Sequence, residues 1–210
     1  MQQVDKKSYN FFHYSYPDRW ASYFYQLREV LSVNPNSILE IGVGDKVFQS
    51  FIKNNTHISY TSLDIAVDLE PDIIAHITDT RLPSNTYDVV CAFEVLEHIP
   101  FEEFNIAIKE LCRISKKYLI ISLPHFGPVF QFYVKVPFLP KVQFVFKIPF
   151  AKKHTFNGQH YWEIGKKGFS LGHIINDIEQ HGTIISHYIP FENQYHHFFV
   201  IEKRDAIKYS

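Results

Sequence analysis

The 210-residue chain is long enough for one α/β domain with a real core and a small insertion, and too short for two. Its 21 Lys and Arg against 22 Asp and Glu leave a formal net charge of -1, which lacks the basic excess of a protein that tracks a phosphate backbone, so nucleic acid is not expected as a partner. Two cysteines in apolar stretches, Cys91 and Cys112, read as buried thiols in a reducing compartment, and the absence of a signal-type or membrane-spanning apolar run points to a cytoplasmic protein.

In chain order, residues 1–16 are aromatic toward Tyr16 without a clean period and read as an arm or lid. Trp20, Tyr23, Phe24, Leu27, Val30 and Leu31 follow helical spacing over 18–31, with Ser15 and Asp18 resembling a capping box one turn ahead. Asn34-Pro35-Asn36 stops that helix before the apolar run 37–41. A second helix is expected over 46–54 and strands over 60–64, 73–77, 87–93 and 118–124, with a helix over 101–114. A last helix at 169–180 precedes strands at 183–189 and 195–201, joined so closely that they must run antiparallel. Alternation of this kind implies a parallel sheet with right-handed crossovers, helices on both faces, and ligands at the strands' carboxyl ends.

The stretch Ser37-Ile-Leu-Glu-Ile-Gly-Val-Gly-Asp45 organises the rest. Ile38, Leu39 and Ile41 suit a strand covered on both faces, and Gly42 and Gly44 let the backbone turn sharply against a ligand. About 20 residues on, Asp64 ends a second strand where an α/β nucleotide fold places an acid against a ribose diol. Val47 replaces the third glycine of a dinucleotide fingerprint, which disfavours a pyrophosphate. Glu40 before the first glycine suits a cationic, amine-bearing ligand, and that chemistry points to S-adenosylmethionine.

With Glu40-Ile-Gly-Val-Gly44, Asp64 and Tyr87-Asp-Val-Val-Cys-Ala-Phe-Glu-Val-Leu-Glu-His-Ile-Pro100 in view, the chain resembles a class I S-adenosylmethionine-dependent methyltransferase of the small-molecule branch. The resemblance implies a Rossmann-like, seven-stranded, mostly parallel sheet closed by an antiparallel C-terminal strand pair. It also implies that Gly42 and Gly44 approach the methionine part of the cofactor, that Asp64 binds the ribose hydroxyls, and that Glu40 supports the turn and the amino group. Backbone around Phe93 and Glu94 would complete the methionine site. The adenine contact falls to Asp79 or His76, and His98 either lines the pocket or caps the following helix.

Residues 126–165 depart from a minimal methyltransferase and are expected to form a substrate cap. Within them, aromatics from Phe130 to Phe150 interleave with Lys135, Lys141, Lys147, Lys152 and Lys153, a pattern suited to peripheral membrane contact, while Pro128, Pro137, Pro140 and Pro149 exclude one long helix. The expected reaction is methyl transfer to a small-molecule or glycan-type acceptor at oxygen. His125, after the fifth strand, and then His160 are the candidate bases, with Tyr161 and Trp162 as acceptor walls. A metal is not expected: His154 and His160 lack companions at the usual spacings, and His196 and His197 point to opposite sides of a strand. The rival readings are a non-catalytic cofactor-binding module and, less favoured, a nicotinamide-dependent oxidoreductase.

Overall fold

In the computed structural model, which describes residues 7, 9–148, 150 and 152–204, the glycine-bearing strand β1 (Ser37–Ile41) lies inside the main sheet. It pairs in parallel with β2 (Ser59–Asp64) on one side and β4 (Tyr87–Phe93) on the other. Beyond these lie β3 (Ile73–Ile74) and β5 (Ser115–Pro124), also parallel. The chain then places β9 (His196–Lys203) antiparallel to β5, and β8 (Gly182–Tyr188) antiparallel to β9, giving the order β3-β2-β1-β4-β5-β9-β8.

Successive strand residues face opposite sides, which explains the near-continuous apolar runs. Ile38, Val89, Ile120 and Val200 pack toward α2 (Pro17–Ser32) and α3 (Val47–Asn55), through Val30, Phe48 and Ile52. Their neighbours Leu39, Val90, Ile121 and Ile201 pack toward α4 (Phe101–Ile114) and α5 (Leu171–Glu179), through Phe104, Ile108, Leu111, Ile174 and Ile178. Asp88 serves the strand start: its carboxylate accepts from the Asn36 and Ser37 amides and from Lys116.

Three local expectations are corrected. The helix at 17–32 has Pro17 in its first turn and Tyr16 as N-cap without a side-chain bond, while Ser15 ends the short α1 (Phe11–Tyr14), so the Ser15/Asp18 capping box does not form. The strand expected over 73–77 stops at Ile74: after a last bond from the Ala75 amide to the Asp64 carbonyl, the chain turns back on itself in the His76–Asp79 bridge. His98 closes a 3-10 turn, Leu96–His98, and Pro100 caps α4, so His98 is not a helix cap.

Residues 129–147 form a separate antiparallel ribbon, β6 (Val129–Val134) and β7 (Val142–Lys147), stapled by the stacked Phe132–Phe144 pair and by Phe130 against Phe146. Of the arm, residues 1–6 and 8 lie outside the described residues, as does Pro149 of the insertion. Among the described residues no helix is long and apolar enough to cross a membrane.

Candidate active site

A cavity of about 510 Å³ opens at the carboxyl ends of β1, β2 and β4, where the loops after these strands meet α1, the start of α2, the 159–160 segment and the start of β9. Gly42 and Gly44 line its floor with φ of 80° and 49°, the left-handed region that favours glycine. A Cβ on Gly42 would collide with Val95 Cγ2, and one on Gly44 would sit 3.8 Å from the Tyr9 ring. Asp64, from the next strand end, accepts from the Val43 amide at 3.0 Å and the Ala66 amide at 2.8 Å, so its carboxylate is fixed across both turns.

Glu40 stands behind this floor. It is buried, accepts from the Tyr60 hydroxyl, and does not line the cavity. Burial, with help from Asp45 and Asp64 and against the Tyr60 hydrogen bond, pushes its carboxyl up to about 8. In the same cavity lining, Arg19 stacks on Tyr14 with its guanidinium 3.9 Å from the ring centroid and donates to the Tyr14 hydroxyl at 2.9 Å. Its Nε is buried with no hydrogen-bond partner among the described residues.

Part of the same lining is acidic and imidazole-rich. Glu94, in left-handed backbone at φ 54°, lies 3.4 Å from His196 Nε2. Asn193 donates to Ser22 Oγ at 2.9 Å and Ser22 meets His196 Nδ1 at 2.6 Å. That chain assigns the Nε2–H tautomer to His196, which therefore points its proton at Glu94. Burial pushes the Glu94 carboxyl up to about 8 and the His196 imidazole down to about 3.

His160 lies beside them on a strap held at three points. The Tyr161 amide donates to the Glu97 carbonyl at 2.8 Å, the Ile164 amide donates to the Pro124 carbonyl at 3.0 Å, and Trp162 sinks completely into the core against Phe101 and Phe104. The indole N–H of Trp162 donates to the Ile99 carbonyl at 3.2 Å. His160 Nδ1 is 3.2 Å from Glu163 Oε1, which also accepts from the Tyr195 hydroxyl at 3.1 Å. Although burial opposes it, those two bonds and Lys166 keep the Glu163 carboxyl below its ordinary value. Next to His160, the His98 ring packs edge-on at 5.1 Å, and burial together with His160 holds its imidazole down at about 4.

A family model described as a methyltransferase domain matches residues 39–121, from β1 into β5. Over that stretch, which is less than half of the chain, the sequence is similar to a methyltransferase domain. A floor without Cβ atoms, a fixed acid at the second strand end and a buried guanidinium nitrogen lacking a partner among the described residues fit S-adenosylmethionine as a cofactor. The fold is similar to the N-methyltransferase NodS from Bradyrhizobium japonicum WM9, solved with S-adenosyl-L-homocysteine, at TM-score 0.63 and 11% identity over 97% of this chain and 95% of that one. It is also similar to the PH0226 protein of Pyrococcus horikoshii OT3, at 0.60 and 13% over 96% and 95%. A third is the Burkholderia thailandensis 1,6-didemethyltoxoflavin-N1-methyltransferase, at 0.56 and 9% over 91% and 92%. At these identities the likeness is one of fold. No curated protein matches the chain significantly by sequence.

Of the residues singled out from the methyltransferase sequence, Gly42, Gly44, Asp64, Phe93, Glu94, His98 and His160 line this one cavity, and His76 joins them. Others lie elsewhere. Asp79 is exposed and pairs with Arg81 at 3.5 Å, so the acid nearest Leu82-Pro83 faces away from the site. Tyr161 packs outward on Phe156, and Trp162 is an anchor for the strap instead of an acceptor wall. His125 turns to a second cavity of about 860 Å³, where its Nδ1 meets His197 Nδ1 at 2.9 Å and His197 Nε2 meets His187 at 3.0 Å. It does not line the cofactor-side cavity. Burial and Lys147 hold the His125 imidazole at about 4.

Ribbon residues 143–148 line that second cavity and none lines the first. The part of the 126–165 insertion that reaches the site is Gln159 and His160. Arg19, Glu97, Tyr195 and His196 complete the site and escaped the sequence reading. Arg19 and His196 sit in an apolar-patterned helix and strand, where a polar residue signals nothing until its neighbours across the fold are known. Glu97 was visible only as part of the Val-Leu-Glu-His run.

Proposed function

We propose that this methyltransferase acts on a small-molecule or glycan-type acceptor, at an oxygen atom. The observation that carries the proposal is the lining of one cavity: glycine turns and a fixed acid together with a buried histidine braced by a carboxylate. In this reading Gly42, Gly44 and the backbone at Phe93 and Glu94 surround the methionine part of the cofactor, Arg19 Nε meets its carboxylate, and Asp64 takes the ribose hydroxyls. Ile77 and His76 face the adenine, in place of the outward-facing Asp79.

The cofactor supplies an already activated methyl group, so the protein's tasks are alignment, exclusion of water and handling of the acceptor's proton. Glu163 fixes the His160 ring so that Nε2 faces the cavity, and His160 is the imidazole placed to meet an acceptor hydroxyl. Side-by-side calorimetric titration with S-adenosylhomocysteine and NADH tests the frame. Binding of the former alone is expected, followed by label transfer to hydroxylated acceptors; binding of NADH alone would favour an oxidoreductase, and binding without any transfer would favour a non-catalytic module.

We further infer that the ribbon makes peripheral membrane contact. Val129, Phe130, Phe132, Tyr133, Phe138, Leu139, Phe144 and Phe146 are all exposed, beside Lys135 and Lys141. An apolar finger flanked by lysines suits an anionic bilayer surface. Failure to float with anionic vesicles would remove this reading.

A further inference from the structure

At the acceptor end of the cavity, Glu97 is fully buried and neither of its side-chain oxygens finds a hydrogen-bond partner among the described residues. A buried acid left this way is costly. Proton sharing with the facing imidazoles does not relieve it: His160 Nε2 is 3.9 Å and His98 Nε2 4.0 Å from Glu97 Oε1, beyond hydrogen-bond reach.

The two rings are already oriented. His160 Nδ1 is bonded to Glu163 Oε1 at 3.2 Å, and His98 Nδ1 to the Gln159 carbonyl at 3.1 Å. Glu163 is an acceptor, so His160 Nδ1 carries the proton and its Nε2 presents its lone pair toward Glu97. Metal-ligating histidines are held in this way, one ring nitrogen donating to a carboxylate or carbonyl while the other binds the ion. The three ligand atoms lie within 4.8 Å of one another. A bound ion at about 2.0–2.2 Å from each ligand would bring them to roughly 3.0–3.4 Å, a contraction that side-chain rotation supplies.

We propose that Glu97, His98 and His160 form a divalent-cation site in the acceptor end of the cavity, with open coordination positions for a hydroxyl oxygen of the acceptor. Two imidazoles and one carboxylate favour zinc, manganese or iron(II) over calcium, which takes oxygen ligands. The proposal rests on the oxygen-acceptor reading above and refines it, because His160 then acts on the acceptor through the ion. The ion orients the hydroxyl oxygen and makes its proton easier to lose to water. As that oxygen bonds the methyl carbon, the carbon–sulfur bond breaks and its electron pair returns to sulfur. This proposal departs from the expectation of a metal-free protein. His98 and His160 are 62 positions apart in sequence, and the strap anchored by Trp162 brings them together.

The test uses the full chain dialysed against a chelator and then titrated calorimetrically with Zn²⁺ or Mn²⁺, with Co²⁺ absorption spectra in parallel. One ion per chain is expected, weakened at least tenfold in Glu97→Gln, His98→Ala and His160→Ala, with Co²⁺ bands that disappear in the same variants. S-adenosylhomocysteine titration and thermal unfolding of each variant accompany it. If wild-type protein binds S-adenosylhomocysteine but no ion, or if the three variants bind ions like wild type, the cation site is overturned while the methyltransferase reading stands. Ion binding lost in the variants without any hydroxyl methylation would uphold the site and remove the oxygen-acceptor reading.

Discussion

Arg19 and Glu40 show how a single buried charge is managed on either side of the glycine turn. Arg19 keeps a partnerless Nε beside Gly42 and Gly44, and a charge-assisted hydrogen bond from it to a ligand carboxylate is worth about 1.5–3 kcal/mol. Arg19→Ala is therefore expected to weaken S-adenosylhomocysteine binding by roughly 10- to 150-fold, and Arg19→Lys to recover part of it, by calorimetry. Glu40 carries the opposite problem. Unfolded, it ionises near its ordinary 4.5; folded, it holds its proton up to about 8. Between those values the folded chain binds more protons, so Glu40's contribution is full below about 4.5 and is lost as pH rises through about 8. Glu40→Gln keeps an acceptor for the Tyr60 hydroxyl and has no such titration. Its stability to denaturant should gain on wild type between pH 5 and pH 9, by a difference on the order of a few kcal/mol. Parallel pH profiles for the two proteins would refute the assignment.

The ribbon is the element least tied to the rest. It meets the body through few polar links, such as Gln131 Nε2 donating to the Phe191 carbonyl at 2.7 Å and Lys147 Nζ donating to the His125 carbonyl at 2.6 Å. At its turn Phe138 is fully exposed. Phe138→Asp removes an apolar side chain that packs on nothing and adds a charge that an anionic surface repels. Vesicle flotation should therefore drop several-fold with cofactor affinity and melting temperature unchanged. Loss of cofactor binding instead would mean that the ribbon supports the first cavity after all. The Trp162 strap is the contrasting case: Trp162→Ala would empty a site packed between two phenylalanines and cost about 3–5 kcal/mol, seen as a lowered midpoint of denaturant unfolding.

Across the whole molecule, what was legible in the sequence was whatever a short stretch encodes by itself. Strands β1, β4 and β5 announced themselves by apolar runs, the glycine turn by its two glycines, and Asp64 by its spacing, and these place the cofactor half of the cavity. The acceptor half joins Glu97, His160 and His196 from three distant segments, and no local pattern encodes such a meeting. His125 illustrates the same limit: its position after β5 was legible, but the side to which it turns depends on His197 across the antiparallel pairing of β5 with β9.

That pairing also bears on how the protein is made. β9 is inserted between β5 and β8, hydrogen-bonded to both, although it is synthesised after them. Until residues 196–203 leave the ribosome, β5 has an unpaired edge, and a sheet edge of this kind is open to pairing with another nascent chain. Because Tyr195 and His196 also line the cavity, the last strand to settle completes both the sheet and the site. The newly made chain would therefore acquire cofactor binding only as its vulnerable edge is sealed.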